Sequence, residues 1–431
     1  MIKKYLLLSL FCFSAISLNS QSWKKLPANG AAQERHENAF AQAGKRFILI
    51  GGRGNKPIDI YNTEDQTWKK GAQPPLEMHH TQAVSIDGLV YILGAFTGGW
   101  PEEDPIPNIY IYDPLEDLWI KGPEIPEDRR RGAAGVAVKD KKIYLVNGIT
   151  NGHTSGWVNW FDEYDLYKNK WNILPDSPNK RDHFQAAIIG NILFVAGGRK
   201  SGSVEGNGFA GTVKPTDIYN FDAKKWTSTA NIPTPRAGTS IGIIDEKPVI
   251  IGGESDAQEA AHNEAEVFNF TEEKWDSLPP LKQGRHGTQA ISLNKQIIIG
   301  AGSGNRGGGP ELNTFEIFSQ DNTLNFSTEA ILAGALKASE SNLDFSKRNI
   351  RNVRISHKGG NQAIVITDIE VSDNFKILNK KSLPFVLAPR SEFELTIEGD
   401  QNPGKLSIKR TGFNVALTVY LNYNVLKIVY L

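Results

Sequence analysis

The chain has 431 residues, with 48 Lys and Arg balanced by 48 Asp and Glu. That balance excludes a protein built around a basic nucleic-acid-binding surface, and 9 Trp, 12 Tyr and 20 Phe with only 22% charged residues exclude a disordered chain. One cysteine, Cys12, leaves neither a thiolate zinc site nor a disulfide scaffold, and the length predicts two or three domains. Lys3 and Lys4 precede an apolar run from Tyr5 to Leu18, and the small polar residues Asn19 to Ser22 follow. This is the pattern of a cleaved secretory signal peptide over residues 1–20, and the run is shorter than the ~20 residues a membrane helix needs. Phe11 stands before Cys12 where a lipidated signal has a small residue, so lipidation at Cys12 is the weaker alternative. No second long apolar stretch appears, so the expected product is secreted or periplasmic, without a membrane span.

An internal repeat follows. Trp23, Trp68, Trp119, Trp171, Trp226 and Trp275 recur 45 to 55 residues apart. Five of them have an aromatic residue seven positions upstream: Tyr61, Tyr112, Tyr164, Tyr219 and Phe268. Before each aromatic lies an apolar run ending in glycine, such as Phe47-Ile48-Leu49-Ile50-Gly51-Gly52 and Leu193-Phe194-Val195-Ala196-Gly197-Gly198. A continuous apolar run bounded by glycine predicts a strand buried on both faces, and four short strands per unit predict a radial all-β array. The paired glycines, the Tyr and the Trp resemble the kelch-repeat family over about Ser22 to Ser319. The resemblance implies a six-bladed kelch β-propeller over residues 22–320. The sixth unit ends at Phe315 and Phe318 without a Trp strand, whereas Trp23-Lys24-Lys25-Leu26-Pro27 matches the missing strand. The N-terminal strand is therefore expected to close the ring and remove a free edge; the alternative is an open array with Trp23 loose.

Turns between first and second strands are short, as at Asp87-Gly88, while the segments after the glycines are long: Phe96 to Asn108, Ile149 to Val158, Arg199 to Thr216, Glu254 to Glu264 and Ser303 to Asn313. Loops of this length in a compact domain mark function or disorder, so one face is the candidate binding surface. Sixteen residues before each glycine position stand Arg35, Met78, Arg131, Arg181 and Arg236, with Arg285 one step out of register. His36, His79, His80, His183 and His286 cluster beside them. By the resemblance, this region surrounds the mouth of a central channel. Arginines there either tie one blade to the next or offer bidentate hydrogen bonds to a carboxylate or phosphate. The long loops add Trp100, Trp157 and Phe209 among Glu102, Glu103, Asp104, Glu205, Glu254, Asp256 and Glu264. Aromatics amid acids suit sugar recognition, or the rings pack on their own loops.

The Gly302-to-Gly307 stretch fits G-x-G-x-x-G, but Gly308, Gly309 and Pro310 follow where a phosphate-binding helix would start. No compact His–carboxylate motif supports the neighbouring histidines as ligands, so no cofactor and no metal site is expected. Some kelch proteins resemble galactose oxidase, whose copper cofactor needs a cysteine joined to a tyrosine; a chain cleaved after residue 20 has none. After about Asp321 the rhythm stops. Alternation at Phe393, Leu395 and Ile397 and at Val415, Leu417, Val419 and Leu421 predicts an antiparallel β-sandwich over residues 345–431. Ser372 to Phe375 with Leu387 to Phe393 resembles immunoglobulin-like domains of the choice-of-anchor type, which implies a spacer or docking module. Residues 321–344 read as a linker, with Ala330 to Ala338 either a short helix or part of that linker.

The expected function is binding of an anionic or carbohydrate ligand at the loop-rich face, with an acidic sugar, a glycan or an extracytoplasmic protein as partner. The resemblance extends to sialic acid mutarotases. That enzymatic alternative needs a carboxylate anchor, for which Arg131, Arg181 or Arg236 would serve, and an acid/base, for which Glu205, Glu254 or His183 would serve. The candidate ligand-binding set is Arg35, Arg131, Arg181, Arg236, Arg285, His79, His183, Trp100, Trp157, Glu205 and Glu254.

Overall fold

The computed structural model describes residues 22–321 and 323–422; the expected leader at 1–20 and a strand expected at 425–429 lie outside them. Six four-stranded antiparallel sheets form the blades. The first blade consists of Asn38–Ala43, Arg46–Gly51, Asp59–Asn62 and Thr67–Lys70. The second strand of each blade is apolar because neighbouring blades cover both of its faces: Phe47, Ile48, Leu49 and Ile50 have no exposed surface, and neither do Ile297, Ile298 and Ile299.

The seven-residue spacing of aromatic and Trp is the length of a hairpin. Tyr61 lies opposite Trp68, Tyr112 opposite Trp119, Tyr164 opposite Trp171, Tyr219 opposite Trp226 and Phe268 opposite Trp275. The paired ring centroids are 4.9 to 5.3 Å apart, a contact worth ~0.5–1.5 kcal/mol beyond area burial. Glycine ends the second strand because the next blade's backbone comes too close for a side chain. Gly52 donates its N–H to the Met78 carbonyl at 2.8 Å, and a Cβ on Gly51 would lie 2.1 Å from that same oxygen.

The ring closes as the repeat predicts. Lys24 and Lys25 pair with Ile317 and Glu316, supplying the outer strand of the sixth blade. Trp23 is buried, its indole N–H donates to the Pro279 carbonyl at 2.8 Å, and its ring lies 5.5 Å from Phe318.

The C-terminal unit is a two-sheet β-sandwich around Val353, Ile355, Leu395, Ile397, Leu406 and Ile408. It begins earlier than the alternation suggests. Ala335–Ala338 is a strand paired with Ile350–Lys358, so this part is neither the short helix nor the linker expected but a strand of the sandwich. Asn342–Leu343 adds one parallel pairing to an otherwise antiparallel sandwich. The sandwich docks on the short-turn side of the propeller: Ala363 N–H donates to the Asp87 carbonyl at 2.9 Å, and Gln362 Nε2 to Asp113 Oδ1 at 2.7 Å. Ala363, Val365 and Val386 join the core of the second blade. The long loops on the opposite face stay uncovered by it. Among the described residues, no helix is long and apolar enough to cross a membrane.

Candidate functional site

Each blade enters its first strand through a segment of three residues, and their side chains go to different places. The first position holds the arginines, all of them buried. Arg181 Nη1 donates to the Gly197 carbonyl at 2.8 Å and Nη2 pairs with Asp217 at 2.5 Å. Arg35 repeats this with Gly51 and Asp59, Arg131 with Asn147 and Asp162, Arg236 with Gly252 and Glu266, and Arg285 with Ala301 and Glu316. The sixteen-residue spacing is therefore itself a hydrogen bond, from the guanidinium to the carbonyl at the end of the same blade's second strand. The arginine's own carbonyl is engaged as well: Gly148, Gly198, Gly253 and Gly302 of the preceding blades donate to Arg181, Arg236, Arg285 and Arg35. Of the two roles open to the arginines, the structure shows the first. None of Arg35, Arg131, Arg181, Arg236 and Arg285 presents a guanidinium at the channel mouth, because desolvation of that charge is compensated only inside its blade.

The third position forms the mouth. Glu37, His80, Ala133, His183, Gly238 and Gly287 all have φ between 49° and 62°. His80 N–H donates to the Glu37 carbonyl, His183 to Ala133, Gly238 to His183 and Gly287 to Gly238, a chain of backbone bonds around the axis. Glycine adopts this conformation freely, whereas non-glycine residues held there cost of order 1–3 kcal/mol and concentrate at functional sites. Four of the six are non-glycine, and three of these, Glu37, His80 and His183, carry ionisable side chains that point to function.

Around them lies a cluster of imidazoles and carboxylates. His153, from the long loop of the third blade, places Nε2 2.9 Å from His183 Nε2. His80, His153 and His183 each bring one ring nitrogen to within 4.8 Å of the others. Their Nδ1 atoms are taken: His153 donates to Glu103 Oε2 at 2.9 Å, His183 to Asp182, and His80 to His79 Nδ1 at 2.6 Å. His79 in turn donates Nε2–H to the Gly98 carbonyl at 3.0 Å, which makes its Nδ1 the acceptor. His79 thus orients His80 and does not itself face the cleft. Burial and the neighbouring His183, His79 and His153 hold His80 well below the usual imidazole range. Burial and Arg199 lower His183. Burial works to raise Glu103, but His153 and Arg53 hold its carboxyl down at about 2. Glu254 is likewise held at about 2 by His286 and Arg199 against the effect of burial.

Above this floor opens a cleft of about 880 Å³ between the long loops, lined in part by His36, Glu37, His80, His153, Arg199 and Glu254. Its rim carries Trp100, 70% exposed, together with Glu205 and Phe209, the last under the Arg306 guanidinium at 5.1 Å. Trp157 instead packs against Phe96, Ala133 and Ile149 and donates Nε1–H to the Ser201 carbonyl at 2.7 Å. The two arginines lining the cleft have carboxylate partners, Arg53 with Glu103 at 2.5 Å and Arg199 with Glu254 at 2.6 Å, while Arg306 at the rim donates to the Asp256 carbonyl at 3.4 Å. His183, Trp100, Glu205 and Glu254 thus meet at one site, joined by residues outside the expected set, notably Glu37, His80, Glu103, His153 and Arg199. His153 sits in a loop outside the repeat register, so spacing carries no signal for it.

Residues 6–198 match the family model described as the KLHDC2/KLHL20/DRC7 Kelch-repeats domain. The chain is similar to Kelch-like protein terF of Aspergillus terreus, 28% identical over 259 residues that cover 54% of each chain. It is also similar to Kelch-like protein 40 of Xenopus tropicalis, 27% identical over 196 residues that cover 43% of this chain and 30% of that protein. It thus spans 30% to 54% of the length of these relatives. A solved structure of YjhT aligns with a TM-score of 0.58 at 15% identity, covering 69% of this chain and 98% of that one, a likeness of fold.

Proposed function

The repeats are kelch repeats and the ring they build is a kelch β-propeller, and on that premise we propose that the protein is a secreted carbohydrate-binding propeller whose ligand lies in the cleft of the long-loop face. The observation that carries this reading is Trp100, an exposed indole on the rim of a cleft whose floor is polar. Flat apolar rings above hydrogen-bonding groups suit a sugar, whose faces are apolar and whose edges carry hydroxyls. The ligand is neutral on this reading. Arg53 and Arg199 are already paired with glutamates, and the five blade arginines are buried away from the cleft. The pairing of Arg131, Arg181 and Arg236 with Asp162, Asp217 and Glu266 supports this reading over a sialic acid mutarotase, which would take its carboxylate anchor from one of them. Secretion rests on the leader pattern of residues 1–20, and the sandwich is on this reading an immunoglobulin-like spacer that holds the propeller by its other face.

Titration calorimetry against neutral and acidic mono- and oligosaccharides tests the proposal. Neutral sugars should bind, and Trp100→Ala should weaken them at least ~10-fold while changing folding stability by less than about 0.5 kcal/mol, as exposed substitutions do. Preference for acidic sugars, or binding of a protein with no sugar affinity, would replace it.

A further inference from the structure

The hydrogen bonds around the mouth fix the tautomers of three histidines. His153 and His183 each give their Nδ1 proton to a carboxylate, and His80 gives its Nδ1 proton to His79. With each ring neutral, all three Nε2 atoms present lone pairs. Two of these face each other at 2.9 Å, and the third lies 3.4 Å from Glu37 Oε2. Electron-rich atoms gathered this way, with their donors all on the Nδ1 side, repel unless a cation sits among them.

We propose that His80, His153 and His183 bind one divalent first-row transition-metal ion, of which Zn²⁺ is the type, through their Nε2 atoms, leaving a coordination position open to the cleft. Zinc takes imidazole nitrogen at ~2.0–2.1 Å, which puts tetrahedral ligand atoms about 3.3 Å apart. The 2.9 Å pair is close to that separation, and one ring nitrogen of each of the three histidines lies within 4.8 Å of the others. The supporting shell is also of the right kind. A metal-bound histidine characteristically donates its other N–H to a carboxylate or another acceptor that fixes the ring, and here Glu103, Asp182 and His79 do so. Asp182 is itself held by the N–H and hydroxyl of Ser201, and Glu103 by Arg53. Glu37 supplies negative charge beside the ion. The backbone agrees as well: His80 and His183 keep a positive φ where Gly238 and Gly287 stand in the fifth and sixth blades. The third blade, with Ala133 at that place, brings its imidazole from the loop. Neutral imidazoles select zinc-like ions over magnesium or calcium, which take oxygen ligands. The site requires no sugar and stands apart from the carbohydrate reading.

The full chain, prepared without a histidine tag and stripped with chelator, should take up one equivalent of Zn²⁺ in titration calorimetry. Co²⁺ in its place should show the visible absorption of a four- or five-coordinate ion. His153→Ala, in a loop and without backbone strain, should weaken Zn²⁺ binding at least ~100-fold, and His80→Gly should do the same through a residue that fits the ring backbone. Glu103→Gln, which keeps the ligand and alters only its support, should cost ~10–100-fold. His262→Asn, a buried histidine of the fifth blade outside the cluster, should leave binding unchanged. Absence of Zn²⁺ uptake by the folded wild-type chain would overturn the proposal, leaving a shared proton between His153 and His183. Uptake that survives both His153→Ala and His80→Gly would overturn it equally.

Discussion

Two sets of charged side chains grow from the same short segment of each blade, and they obey opposite rules. The arginines are uniform, repeated in five blades and closed upon their own blade. Two residues further on, the mouth residues differ from blade to blade: Glu37, His80 and His183 in three blades, Ala133, Gly238 and Gly287 in the others. Repetition marks what every blade needs in order to fold, and irregularity at an otherwise repeated place marks what the molecule does only once. The second blade sharpens the point. It has Met78 where the others have arginine and Tyr110 where the others have an acid, and both pack in one apolar cluster.

That contrast can be broken by experiment. Arg181→Ala should leave Asp217 buried with its cationic partner gone, and loss of one partner of a buried pair costs about 3–5 kcal/mol. Denaturant unfolding should show that drop, and a change of less than about 1 kcal/mol would mean that the arginines are not the blade staples described. Met78→Arg is the converse. It buries a cation in the one blade that lacks the acid, and it should destabilise by several kcal/mol, with partial recovery in the double variant with Tyr110→Glu. His80→Gly should have the smallest effect on folding, within about 1 kcal/mol, because relief of the positive φ offsets the lost contacts. Its metal affinity should nevertheless collapse. A loss of stability as large as that of Arg181→Ala would place His80 among the structural residues.

Much of the scaffold is legible in the residues alone. Trp23 as the missing strand, the seven-residue hairpins and the long-loop face follow from spacing, because a repeated blade writes the same contacts at the same intervals. A signal for the arginines' role is present too: an acid stands two residues before the third-strand aromatic in every arginine blade, at Asp59, Asp162, Asp217, Glu266 and Glu316, and Tyr110 replaces it beside Met78. Arginine and acid vary together within one chain, as partners do. The site itself is less legible. His183 and Glu254 emerge from the register, whereas His153 and Glu103 lie in loops of unequal length. The strand at Ala335–Ala338 was not legible because Ala-Leu-Lys-Ala is too short to show a period.

What the sequence determined by itself was the wheel, its closure and the side on which the loops collect, since these depend on short-range periods and on pairing between adjacent strands. The direction of each charged side chain was decided only in the folded ring. Whether a guanidinium turns into the blade or toward the axis depends on which carboxylate lies within reach once the strands are stacked. Whether three imidazoles from separate blades and loops meet depends on the circular closure that brings residues 80, 153 and 183 to one point.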